Sequence, residues 1–72
     1  MEEGNLTKEQ AIDACINEHK RIAHRYFGIH EWVEFRNGSF YTEDGYNMGG
    51  LNDEFWRIRS GGFWEYDWRI IN

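Results

Sequence analysis

His30-Glu31-Trp32-Val33-Glu34-Phe35-Arg36-Asn37-Gly38-Ser39-Phe40-Tyr41-Thr42 is the stretch that decides how this chain folds. It is aromatic and β-branched on both sides of Asn37-Gly38, the dipeptide that best tolerates the left-handed backbone of a two-residue hairpin turn. The pattern predicts one strand ending at Arg36 and its antiparallel partner from Ser39 to Thr42. The hydrophobic period changes at Ile29, and the chain upstream reads as helix.

Leu6-Thr7-Lys8-Glu9-Gln10-Ala11 carries a helix start: Thr7 caps, Gln10 three residues on closes the box, and Leu6 packs on Ala11 as a staple. Ala11, Ile12, Cys15 and Ile16 form an apolar face that His19, Ile22 and Ala23 continue, with charge on the other side. Lys20 to Tyr26 admits two readings. It can extend the helix to Gly28 as the residue after the cap, or alternate as a strand with Ile22, His24 and Tyr26 on one side. The favoured reading ends the helix by Arg21, giving a flexible segment 1–6 and a helix over 7–21.

Downstream of the hairpin, Glu43 to Gly50 is rich in turn formers and reads as a loop. Phe55-Trp56-Arg57-Ile58-Arg59 alternates, with Trp56 and Ile58 on one face, and Gly61-Gly62 reverses the chain. Trp64, Tyr66, Trp68 and Ile70 then share one face of a last strand while Glu65, Asp67 and Arg69 share the other. The expectation is an α+β fold in a single domain, 1–72. An N-terminal amphipathic helix packs on a four- to five-stranded antiparallel sheet, residues 22–72 are mainly strands, and water or another protomer covers the second sheet face.

Composition sets bounds on function. The 72 residues carry 13 acidic and 8 basic side chains, a formal charge of −5, and 18% are aromatic. A chain this short buries only about 60% of its unfolded surface, so it needs an aromatic core or association to be stable. Thirteen aromatic residues, the sum of 4 Trp, 4 Tyr and 5 Phe, provide for both. The acidic balance argues against duplex nucleic acid as a partner. No apolar run approaches the roughly 20 residues of a membrane span and Met1-Glu2-Glu3-Gly4 is no signal peptide, which points to the cytoplasm.

Catalytic and metal chemistry find little support. Cys15 and His19, four apart, have the spacing of a zinc half-site or an imidazole-activated thiol, but no companion ligands recur, so Cys15 reads as core. His24 and His30 sit among Arg21, Arg25 and Glu31, where solvated histidines are common. Asp44, Asn47, Asn52, Asp53 and Glu54 offer oxygens without the alternation of a calcium loop, and neither glycine pair is followed by the lysine of a phosphate loop. The expectation is a protein without catalytic residues, metal or cofactor. Lys20, Arg21, His24 and Arg25 form a short basic cluster, and a few guanidiniums with an aromatic surface are enough to hold a phosphorylated ligand.

Three segments in order, Thr7-Lys8-Glu9-Gln10-Ala11-Ile12, Lys20-Arg21-Ile22-Ala23-His24-Arg25-Tyr26-Phe27 and Asp67-Trp68-Arg69-Ile70-Ile71, resemble the small phage Thoeris anti-defence (Tad2-like) proteins. Asp67 and Trp68 match the family's terminal pair, His24 stands where a basic residue is common, and Phe27 replaces a usual tryptophan. The chain is shorter than usual, with Gly61-Gly62-Phe63-Trp64 in place of a longer insertion. The resemblance implies a homo-oligomer in the host cytoplasm that sequesters a cyclic nucleotide or cyclic ADP-ribose immune signal without cleaving it. On that reading Phe27, Trp32 and Trp68 wall the base, His24, Arg25 and Arg57 meet phosphates, and Asp44 or Asp67 takes ribose hydroxyls. The alternative is an anti-CRISPR-type inhibitor that binds a host nuclease or defence complex directly.

Overall fold

Thr7 starts the first helix by reciprocal capping: its hydroxyl accepts from the Gln10 amide at 3.1 Å, and the Gln10 side chain accepts from the Thr7 amide at 2.9 Å. The computed structural model describes residues 4–71. In chain order they form α1 (Lys8–Glu18), β1 (Arg21–His24), β2 (Val33–Arg36), β3 (Ser39–Thr42), β4 (Asn47–Gly49), α2 (Glu54–Arg57), a 3-10 turn (Gly62–Glu65) and β5 (Trp68–Ile71). The fold is α+β, with the main helix packed on a five-stranded antiparallel sheet of order β4-β3-β2-β1-β5.

The hairpin forms as read: Asn37 and Gly38 both take positive φ, and Arg36 pairs with Ser39 and Phe35 with Phe40. Other boundaries differ from the expectation. The helix expected over 7–21 stops at Glu18, because His19 turns left-handed (φ 55°), and Arg21 already opens β1. Residues 20–27 are thus strand followed by a turn, closed by the Phe27 amide on the His24 carbonyl at 2.9 Å. The expected strand at Phe55–Arg59 is instead the short α2. Asp53 caps the Phe55 amide at 3.0 Å, and this local bond outweighs the alternation, turning Trp56 inward and leaving Ile58 exposed.

Gly61 and Gly62, both at positive φ, do not reverse the chain into a hairpin but lead into the 3-10 turn, so Trp64 and Tyr66 precede β5 rather than alternate along it. Asn47–Gly49, expected as loop, is the edge strand β4, joined through an irregularity at Phe40/Tyr41. Of the expected flexible segment 1–6, residues 1–3 lie outside the described residues. Leu6 is tied down: it exchanges two backbone hydrogen bonds with Trp68, at 3.0 and 3.1 Å. A Cβ at Gly4 would run into the Trp68 carbonyl, so glycine is what lets the chain pass there.

Residues paired across antiparallel strands share a face. The register therefore puts Ile22, His24, Val33, Phe35, Phe40, Trp68 and Ile70 on one side. Ala11 and Cys15 of α1 and Trp56 of α2 close over that side, forming one buried cluster with Ile22, Val33, Phe40 and Trp68. The other side of the sheet carries Arg21, Ala23, Glu34, Arg36, Ser39, Tyr41, Asn47, Arg69 and Ile71. Ala23 on this side is nonetheless fully buried, and Trp32 and Ile71 pack against the buried cluster, so the open part of this side is the stretch bearing Arg21, Glu34, Arg36 and Tyr41.

Candidate functional site

His24, at the end of β1 on the covered face, has no solvent exposure. Its Nδ1 accepts from the Tyr26 amide at 3.1 Å and its Nε2 lies 3.0 Å from the Phe63 carbonyl. These partners assign the neutral ring with its proton on Nε2, donating to Phe63. Around it stand Trp64 (ring centroids 4.4 Å), Trp68 (5.0 Å), Tyr26 (5.6 Å), Phe27 (6.2 Å) and Phe63 (6.4 Å). The Trp68 indole adds a 2.7 Å bond to the Trp64 carbonyl. Together these bonds fasten the 3-10 turn to β1 and β5. His24, Phe27 and Trp68, expected as ligand contacts, are the buried joint of this fastening in the protomer.

Of the other five expected residues, two belong to this joint and three sit at separate places. Arg25 and Asp67 join the same joint: the Arg25 amide donates to the Asp67 carbonyl at 3.1 Å, and Asp67 takes a left-handed backbone (φ 66°). Arg57 stands exposed on α2, 3.9 Å from Glu54. Asp44 lies in the β3–β4 turn, where the Thr42 hydroxyl donates to its carboxylate and, with backbone hydrogen bonds from Tyr46 and Asp44 itself, holds it below the ordinary carboxylate range. Trp32 alone belongs to the open face of the sheet. The structure therefore brings together five of the eight, mostly in the interior, and leaves the rest on different elements.

The open face holds an ordered array that the sequence reading did not single out. Glu34 lies between two arginines, with Oε1 3.5 Å from Arg21 Nε and Oε2 2.9 Å from Arg36 Nε. Each guanidinium also covers an aromatic ring, Arg21 over Trp32 at 4.3 Å and Arg36 over Tyr41 at 3.8 Å. Asn47 donates to the Tyr41 hydroxyl at 3.3 Å, carrying the row to the sheet edge. The hairpin register could have revealed half of this array, because Glu34 faces Tyr41 across the turn. The contribution of Arg21 depends on the pairing of β1 with β2, which no local signal announces.

Arg59, expected with Arg57 and Arg69 on the polar faces of the last two strands, packs against aromatic rings instead. It lies 4.0 Å over Phe55, with Phe27 and Trp64 at 5.8 and 5.7 Å, and its Nη1 donates to the Phe55 carbonyl at 3.2 Å. It closes an aromatic box from within. An open groove of about 220 Å³ runs along Glu18, His19, Lys20, Arg21 and Ile71 beside the open face. Cys15 is buried under Val33, and desolvation, with a smaller contribution from the Glu34 charge, pushes its thiol up from 9.0 to about 12. It is held in the protonated form, while His19 at the exposed cap has its Nδ1 3.4 Å from the Phe35 carbonyl. Among the described residues no His, Cys, Asp or Glu cluster could hold a metal ion, and no helix is long and apolar enough to cross a membrane.

Compared with known proteins, the chain matches no family model, no curated protein and no solved structure.

Proposed function

We propose that this chain is a non-catalytic binding protein that works through the open face of its sheet, of the class that inhibits a host nuclease or defence complex by direct contact in the cytoplasm. The observation that carries this reading is the Trp32-Arg21-Glu34-Arg36-Tyr41 array, in which rings, guanidiniums and a carboxylate are ordered on an exposed sheet rather than around a cavity. Trp, Tyr and Arg are the residues that most often dominate the energy of protein–protein contacts. Support for an absence of catalysis comes from Cys15, sealed as a thiol, and His24, whose two nitrogens are both engaged.

The sequestering reading has one feature in its favour. Tyr26 and Phe63 form an exposed aromatic pair, 4.9 Å apart, with the Arg25 guanidinium 5.9 Å over Tyr26. In a homo-oligomer such a pair could clasp the base and phosphate of a cyclic nucleotide or cyclic ADP-ribose. One experiment separates the two. Phage plating is measured on bacteria that express the chain beside a defence system, and the purified protein is melted with a panel of cyclic nucleotides and cyclic ADP-ribose isomers. The inhibitor reading expects restored plating that Trp32→Ala with Arg36→Glu abolishes, and no thermal shift from any nucleotide. A shift that survives the double substitution but is lost in Tyr26→Ala with Phe63→Ala supports sequestration instead.

A further inference from the structure

Arg21 and Arg36 each use Nε on the same carboxylate, Glu34, and each guanidinium carbon sits over a ring, 4.3 Å from Trp32 and 3.8 Å from Tyr41. Both side chains remain about half exposed, 46% and 49%, leaving the guanidinium ends open to solvent. A shared carboxylate and an aromatic ring each restrain the two guanidiniums, so two donor groups are held together at the surface. Arg21 and Arg36 stand against the one acid between them, Glu34, with the Glu43 carboxylate farther along the face on the Trp32 amide at 3.3 Å, in a chain whose net charge is −5. The Arg21–Glu34–Arg36 trio thus carries one excess positive charge on an acidic protein.

From this we infer that the open face recognises a pair of carboxylates on an acidic segment of a partner protein, one taken by Arg21 and one by Arg36, with Glu34 positioning both. This rests on the reading that the open face is the binding surface and adds the chemistry of what it binds. Carboxylates fit better than a nucleic acid for two reasons. Trp32 and Tyr41 already carry an arginine, so neither ring is a vacant platform for a base, and the acidic chain repels a long phosphate backbone. A second copy is the remaining occupant with suitable charge, since Glu9, Asp13 and Glu18 lie exposed on α1.

The test is an amide and arginine side-chain NMR titration of the whole chain with a short peptide of alternating glutamate and serine, at low and high salt, with light scattering alongside. Expected are shifts at Arg21 Nε, Arg36 Nε and the Trp32 indole, weakening as salt rises. Arg21→Gln with Arg36→Gln should weaken binding by about tenfold or more, and the corresponding double lysine variant should recover only part of it. Glu34→Gln is the decisive variant. If only net charge matters, removing the acid tightens binding; if Glu34 holds the guanidiniums in place, binding weakens although the face has become more positive.

The inference is overturned by an absence of shifts, by shifts confined to the Glu18–Ile71 groove, by tighter binding of Glu34→Gln, or by equal binding of oligothymidylate. It is overturned too if the wild type self-associates and the double glutamine variant is monomeric, for then the occupant is a second copy. If the acidic peptide fails while Trp32→Ala with Arg36→Glu still abolishes plating, the face docks by other chemistry and only this inference falls. If that double substitution leaves plating intact, the binding-face reading falls with it.

Discussion

On the helix-covered face of the sheet His24 and Trp68 have no exposure and their ring nitrogens are all engaged; on the open face Arg21 and Arg36 stay half exposed with their guanidinium ends open to solvent. Both faces use aromatic rings and nitrogen donors. The covered face spends them on fastening the 3-10 turn to β1 and β5, and the open face keeps them available. Buried donors and acceptors must be satisfied inside the protein, whereas exposed ones can exchange water for a partner at little cost. The comparison teaches that exposure of the donors, more than residue type, separates the structural histidine from the candidate recognition arginines.

The largest effect should come from treating the two faces alike. Trp68→Ala leaves a cavity in the core and should cost about 3–5 kcal/mol, enough to unfold much of so small a domain, whereas Trp32→Ala should cost well under half of that. Urea denaturation of both variants measures the gap, and equal losses would remove the distinction between the faces. Next comes His24→Leu, which leaves the Tyr26 amide and the Phe63 carbonyl unpaired at about 1–3 kcal/mol each. The exposed His30→Leu should stay within about 0.5 kcal/mol of wild type in the same melts.

A pH series sharpens the contrast at Cys15. Its thiol rises from 9.0 unfolded to about 12 folded, so folding favours the protonated form. That contribution is complete below pH 9 and is lost as pH rises toward 12, at up to about 1.4 kcal/mol per pH unit. The stability difference between wild type and Cys15→Ala should therefore be flat to pH 9 and change above it. Iodoacetamide labelling at pH 8 should proceed only as fast as the chain opens. The smallest effect is on the open face: Glu34→Gln should change stability by less than about 1 kcal/mol, because exposed ion pairs contribute little, while altering binding.

Local signals explain what was legible. Thr7 with Gln10, and Asn37 with Gly38, engage backbone groups within a few residues of themselves, so the helix start and the hairpin follow from sequence. Phe55–Arg59 misled because alternation and a short capped turn give the same apolar spacing over five residues, and only the Asp53 cap separates them. The site was harder to read. His24, Phe27 and Trp68 carry side chains fit for ligand contact, and their role depends on the 3-10 turn closing over them from nearly forty residues away.

By itself the sequence determined the capped helix, the hairpin and the α+β class, because the first two rest on hydrogen bonds within a short stretch and the third on the change of side-chain period between them. Only the tertiary structure decided which aromatic residues are sealed and that Arg21 meets Arg36 across Glu34. The physical reason is that burial and ion pairing are set by the register of strands distant in the chain. In this protein the decisive register is the pairing of β1 with β2 and β5, which carries no local signature.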